Sequence, residues 1–114
     1  MAIEFKKNFF SSKDDVLRDM IKENTWPWMY VSGPSEGLPL HMHPVVLQTY
    51  VLEGTTDFWD EETQTRTKVG PGDKFIIPPG AVHAEGVVKD RVVYLVGLPA
   101  AMPPEDATRL ISPA

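Results

Sequence analysis

Apolar positions change their period near Pro27. Before it, Val16, Leu17, Met20 and Ile21 recur at helical spacing. Ser12, with Asp15 three residues later, forms a capping-box signature just ahead of them. The pattern predicts a helix that opens after Ser12, ends near Asn24 and packs this stripe against a larger body. The preceding residues carry Ile3, Phe5, Phe9 and Phe10 and read as an edge strand or arm. Beyond Pro27 the pattern becomes that of strands. Trp28 to Val31 is one, and the apolar, β-branched run from Leu40 to Glu53 ends at Gly54. Thr55 to Trp59 and Gln64 to Val69 flank a polar stretch, a hairpin signal. Gly70-Pro71-Gly72-Asp73 is a tight turn, and Phe75-Ile76-Ile77 is a short strand stopped by Pro78-Pro79-Gly80. Val82 to Val88 and Arg91 to Leu98 flank Lys89-Asp90 and read as a second hairpin. The tail from Pro99 is rich in Pro and Ala, with a short helical turn over Glu105 to Leu110.

Seven or eight short strands separated by turns predict an all-β barrel or two-sheet jelly roll with one helix outside it. Composition agrees, since 11 prolines and 8 glycines punctuate 114 residues. That length predicts one domain over 1–114. It divides into an N-terminal arm and helix (1–27), a barrel core (28–98) and a C-terminal tail (99–114). Net charge is −5 and no Lys/Arg cluster exceeds two residues, which argues against a nucleic-acid partner. With no cysteine, disulfides, thiolate nucleophiles and Cys-based metal sites are excluded. No apolar run approaches a membrane span and no signal-peptide core is present, so a cytoplasmic protein without a membrane partner is expected.

The chain has only three histidines, and two form His41-Met42-His43. Alternate residues on extended backbone point to one side, so these imidazoles can converge on one ion. His83 sits on a later strand, just after a Pro/Gly turn. Three imidazoles from two strands can fix a divalent transition metal (Fe, Mn, Ni or Zn) and leave positions open for a ligand.

These residues resemble the cupin family. His41 and His43 lead through Pro44–Thr49 into Tyr50-Val51-Leu52-Glu53-Gly54, as in the first cupin motif, although Gly37 lies two residues nearer to His41 than that motif asks. Gly72, Pro78, Gly80 and His83 fall at the spacings of the second motif, with Val87 where it has Asn. The resemblance covers Trp28 to Leu98 and implies a barrel with the metal in its mouth. It also implies a homodimer, since small cupins commonly pair; Phe5, Phe9 and Phe10 would want cover.

The fourth cupin ligand is usually Glu. Counted back from Gly54 its place falls on Leu47; counted on from His43 it falls on Gln48. The two registers point opposite side chains inward. Gln48 is the candidate fourth ligand, as in cupins resembling the uronate-ketonising enzymes; a three-histidine site, as in cupins resembling certain dioxygenases, is the alternative. Either set is uncharged, so the ion keeps its full charge and favours an anionic oxygen ligand. Glu85, two residues beyond His83, faces the same interior and is the candidate general base. Trp28, Tyr30, Tyr50 and Tyr94 are further candidates for the cavity wall, while the Trp26-Pro27-Trp28 pair reads more readily as a plug or a dimer contact. On the Leu47 register the inward set beside the ligands is Leu47, Thr49 and Val51, joined after His83 by Glu85 and Val87.

The function this predicts is Lewis-acid chemistry on a small oxygenated anion: isomerisation, ketonisation or cyclisation. A three-histidine Fe(II) dioxygenase and a non-catalytic small-molecule binding module are the alternatives.

Overall fold

Backbone turns sit where glycine is required. Gly54, Gly72 and Gly80 have φ of 80°, 95° and 78°, which a side chain would strain. Between such turns the computed structural model, which describes residues 1–113, forms β1 (Glu4–Lys6), α1 (Lys13–Lys22), β2 (Trp26–Ser32), β3 (Leu47–Glu53), β4 (Thr56–Asp60), β5 (Thr65–Val69), β6 (Lys74–Ile77), β7 (His83–Glu85), β8 (Val92–Leu98) and the short α2 (Pro104–Ala107). Two antiparallel sheets result, ordered β1-β6-β3-β8-β2 and β5-β4-β7. Their inner side chains meet in one core that includes Leu47, Val51, Phe75, Tyr94 and Val96 from the larger sheet and Phe58 and Val69 from the smaller. This is the two-sheet, all-β architecture that the strand pattern predicts. Among the described residues, no helix is long and apolar enough to cross a membrane.

The capping box forms as read. Ser12 accepts from the Asp15 amide, and Asp15 accepts from the Ser12 backbone. The helix ends at Lys22 with Glu23 as its cap, slightly short of Asn24. Only half of its apolar stripe is buried. Val16 and Met20 pack with Tyr50, Phe10, Leu52 and Leu95, whereas Leu17 and Ile21 remain 49% and 80% exposed. The helix lies on a sheet and touches it along a narrower stripe than it would in a bundle. Phe5 packs on Phe75 and Phe10 on Tyr50. The chain itself therefore covers two of the three phenylalanines on which pairing was expected.

The second predicted hairpin does not form. β7 pairs with β4, with Asp60 opposite His83 and Phe58 opposite Glu85. β8 pairs with β2 and β3 in the other sheet. The segment through Lys89-Asp90 thus carries the chain between sheets. The reason lies in β8, which is buried along nearly its whole length. Such a strand needs neighbours on both edges, which the three-residue β7 cannot supply. Two boundaries also move. β2 starts at Trp26 and tolerates Pro27 because it is an edge strand. The run from Leu40 becomes a regular strand only at Leu47.

Candidate metal centre

Between β2 and β3 the chain is held by isolated bridges. His41 and His83 face each other in one of these and exchange both backbone hydrogen bonds, each 2.9 Å. This close antiparallel pairing brings their rings to 4.3 Å between centroids. His43, two residues on, points to the same side; its ring lies 4.8 Å from that of His41 and 5.1 Å from that of His83. One ring nitrogen from each of the three lies within 4.8 Å of the other two, and all three residues are buried.

Each ring is fixed by a backbone carbonyl. Nδ1 of His41 lies 2.7 Å from the Pro39 oxygen, Nδ1 of His83 lies 2.8 Å from that of Ala81, and Nδ1 of His43 lies 3.2 Å from that of Arg109. A carbonyl can only accept, so each Nδ1 carries the hydrogen, and in a neutral ring so held Nε2 carries the lone pair. Burial pushes the His83 imidazolium down to about 4, against an ordinary value of 6.5. Burial, reinforced by His41, also lowers that of His43. Both rings are then neutral at physiological pH. Three oriented imidazole nitrogens in a buried cluster match the donor set of a divalent transition ion, with the carbonyls supplying the outer contacts that hold ligand rings in place.

The cluster lies on the wall of a cavity of about 300 Å³. Glu85 and Tyr94 share that wall, and the Tyr94 hydroxyl donates to Glu85 Oε2 at 2.9 Å. Burial pushes the Glu85 carboxyl above its ordinary 4.5 in spite of this hydrogen bond. Tyr30 stacks on Tyr94 at 6.1 Å with an interplanar angle of 4°, and Trp28 stacks on Tyr30 at 5.4 Å. Trp28 is thus part of the cavity wall, while Trp26 stays exposed and plugs nothing.

Leu47 and Thr49 also line the cavity. Gln48, between them, does not; it shares the alternate face of β3 with Tyr50. The register is therefore the one with Leu47 inward, and Gln48 is not brought to the three histidines. Tyr50 likewise leaves the cavity and faces α1, where its hydroxyl donates to Asp19. Val51 is fully buried in the core below, and Val87 is 54% exposed at the chain's crossing between sheets. Sequence reasoning missed Leu38, Phe58, Phe75, Thr108 and Leu110 on the wall. For the last two, the apolar pair Leu110-Ile111 closing a Pro/Ala-rich tail was the available signal.

The model of the cupin domain family matches residues 28–96, more than half of the chain. No curated protein sequence matches. Among solved structures, a DUF861 family protein from Thermotoga maritima is similar at 18% identity and a TM-score of 0.59, over 84% of this chain and 98% of that one. An acireductone dioxygenase from Bacillus anthracis, solved with a cadmium ion in its active centre, is 14% identical with a TM-score of 0.67, over 96% of this chain and 83% of that one. The polyketide cyclase RemF from Streptomyces resistomycificus is 26% identical with a TM-score of 0.55, over 68% of this chain and 56% of that one.

Proposed function

The chain belongs to the cupin domain family, and from that premise we propose that it is a metal-dependent enzyme that moves a proton on a small, enolisable, oxygenated anion. One observation carries the reading. Three imidazoles, each locked to a carbonyl through Nδ1, face the same cavity as a partly buried carboxylate with a raised pKa. His41, His43 and His83 would hold a divalent ion, which when bound supplies Lewis acidity and a chelation point for two substrate oxygens.

The rest of the chemistry belongs to the chain. Tyr94 occupies Glu85 Oε2, so a proton taken from carbon goes to Oε1. The raised pKa lets the carboxyl keep that proton long enough to return it at another position. Such a shuttle performs isomerisation, ketonisation or the aldol-type closure of a cyclase, and the likeness to a polyketide cyclase supports the last of these. The stacked Trp28, Tyr30 and Tyr94, with Leu47 and Phe58, exclude water and favour a compact, partly apolar ligand. A polyhydroxylated oligosaccharide would leave polar groups unpaired here at about 1–3 kcal/mol each.

The test uses protein loaded with Mn, Ni or Zn, a panel of 2-oxo acids, 2-hydroxy acids and 1,3-diketones, and NMR detection of solvent deuterium entering the acidic C–H position. Binding is expected only with metal present. Glu85→Gln should keep binding and slow exchange by about 10²–10⁴-fold. Equal binding to metal-free protein would remove the ion from recognition and sink the reading. Oxygen uptake by iron-loaded protein without deuterium exchange would transfer it to the dioxygenase class.

A further inference from the structure

The three histidines are not held alike. His41 and His83 each donate through Nδ1 to the carbonyl two residues upstream, Pro39 and Ala81. They also fasten each other by two backbone hydrogen bonds. The hydrogen bonds that hold these two histidines lie within their own segments. His43 is different: its Nδ1 acceptor is the main-chain carbonyl of Arg109, 66 residues further along the chain. The neighbouring carbonyl of Thr108 also faces this ring.

We propose that the C-terminal segment around Arg109 is the positioning element for His43, so that docking of this segment completes the three-histidine site and closes its cavity in one step. The reasoning rests on the metal centre proposed above, but one of its readouts needs no metal. The segment is anchored at two points. Ile111 and Met42 exchange backbone hydrogen bonds of 2.9 and 3.0 Å, and Ala107 is completely buried in the core. Between these anchors Arg109 and Leu110 are exposed, and α2 is a single turn. Few apolar contacts hold such a stretch, which places it among the parts of a fold that open most easily. Thr108 and Leu110 form part of the cavity wall. Undocking therefore removes the Arg109 and Thr108 carbonyls that orient His43 and opens the cavity beside it, while His41 and His83 stay in place. Arg109 acts through its backbone, so its side chain is free to vary. The site has two permanent ligands and one conditional one, and a ligand that packs against Leu110 tightens the third.

The experiment uses the full chain with Ile111→Pro, which deletes the N–H that bonds Met42, and with Ala107→Glu as a second way to release the segment. Faster amide exchange at Met42 verifies release. In metal-free protein, ¹⁵N shifts of the imidazoles report which nitrogen carries hydrogen. All three rings should show Nδ1–H in the wild type. Released variants should lose this preference at His43 alone. Zn²⁺ or Co²⁺ affinity should fall by about 10–100-fold in the same variants, and the loss should vanish in a His43→Ala background. The proposal is overturned if His43 keeps its Nδ1–H form after release, or if the affinity loss persists undiminished without His43. Failure of the wild type itself to bind either ion would count against the metal centre, while the ring shifts would still decide the role of the segment.

Discussion

The two faces of β3 both carry buried polar groups and treat them in opposite ways. On the outer face, under α1, the Lys74 amine is fully buried and pairs with the Asp19 carboxylate, which also accepts from the Tyr50 hydroxyl at 2.6 Å. Glu23 lies 4.0 Å from the same amine, and the Phe9 and Tyr50 rings flank it at 5.0 and 5.1 Å. This network is closed, since cation, carboxylate and hydroxyl answer one another. On the inner face, Leu47 and Thr49 border three imidazoles whose Nδ1 atoms are satisfied and whose Nε2 atoms make no hydrogen bond among the described residues. Polar groups that complete one another fasten a helix to a sheet. Those that leave lone pairs turned to a cavity are kept for something that binds there.

Replacing His41 and His83 together with Ala should break the inner face most completely. Bound metal should fall from stoichiometric to background, because only His43 is left and a lone imidazole holds no ion firmly. Elemental analysis after purification checks this, and unchanged metal would place the site elsewhere. The outer face gives the mirror-image result. Lys74→Met should leave metal content alone and cost about 1–3 kcal/mol of stability, since it leaves the half-buried Asp19 carboxylate of α1 without its cation and with the Tyr50 hydroxyl as its remaining donor. Urea unfolding measures it, and a cost below about 1 kcal/mol would mean that the pair is solvated and the network is not closed.

Acid sharpens the contrast further. Burial raises the Asp19 carboxyl, but the hydrogen bonds from Lys74 and Tyr50 outweigh it and hold the net value below the ordinary 3.8. A carboxylate depressed in the folded state contributes stability above its unfolded pKa and loses it as pH falls through the folded value. Wild-type stability should therefore decline below about pH 3.8. Asp73 adds to the decline: burial raises it, while Lys7 and the Asn8 and Gly70 amides bring it lower. In Lys74→Met the Asp19 share should shrink, since Tyr50 is the hydrogen-bond donor left to oppose burial, and the Asp73 share should stay, so the curve below pH 4 becomes shallower. Identical slopes in the two proteins would show that Lys74 does not set the Asp19 pKa.

How far the sequence could be read follows the same division. The inner face was legible because its chemistry is written in scarce residues. Three histidines and a run of glycines and prolines at family spacings point to one site, and strand alternation puts Glu85 beside it. The outer face was not legible. Lys74, Asp19 and Tyr50 are distant in sequence, and a lone Lys in a strand reads as a solvent-facing residue. The β7–β8 hairpin failed for a related reason. A polar pair between two apolar runs signals a turn, but only tertiary pairing decides that β8 is central to the other sheet. The Arg109 carbonyl left no signal at all, since any residue could supply it.

Gln48 offers the smallest effect and the finest test, because it decides which face it serves. Its Oε1 atom is buried with no hydrogen-bond partner among the described residues. An orphaned acceptor on the face opposite the cavity costs stability and gives nothing to the metal. Gln48→Met keeps the length and volume of the side chain while removing that acceptor. It should raise stability by up to about 1 kcal/mol, and metal stoichiometry should not change. Denaturation and elemental analysis on the same preparation report both quantities. If Gln48→Met instead depleted the metal, the glutamine would have to reach the ion, Leu47 would have to turn outward, and the two faces of β3 would exchange their roles.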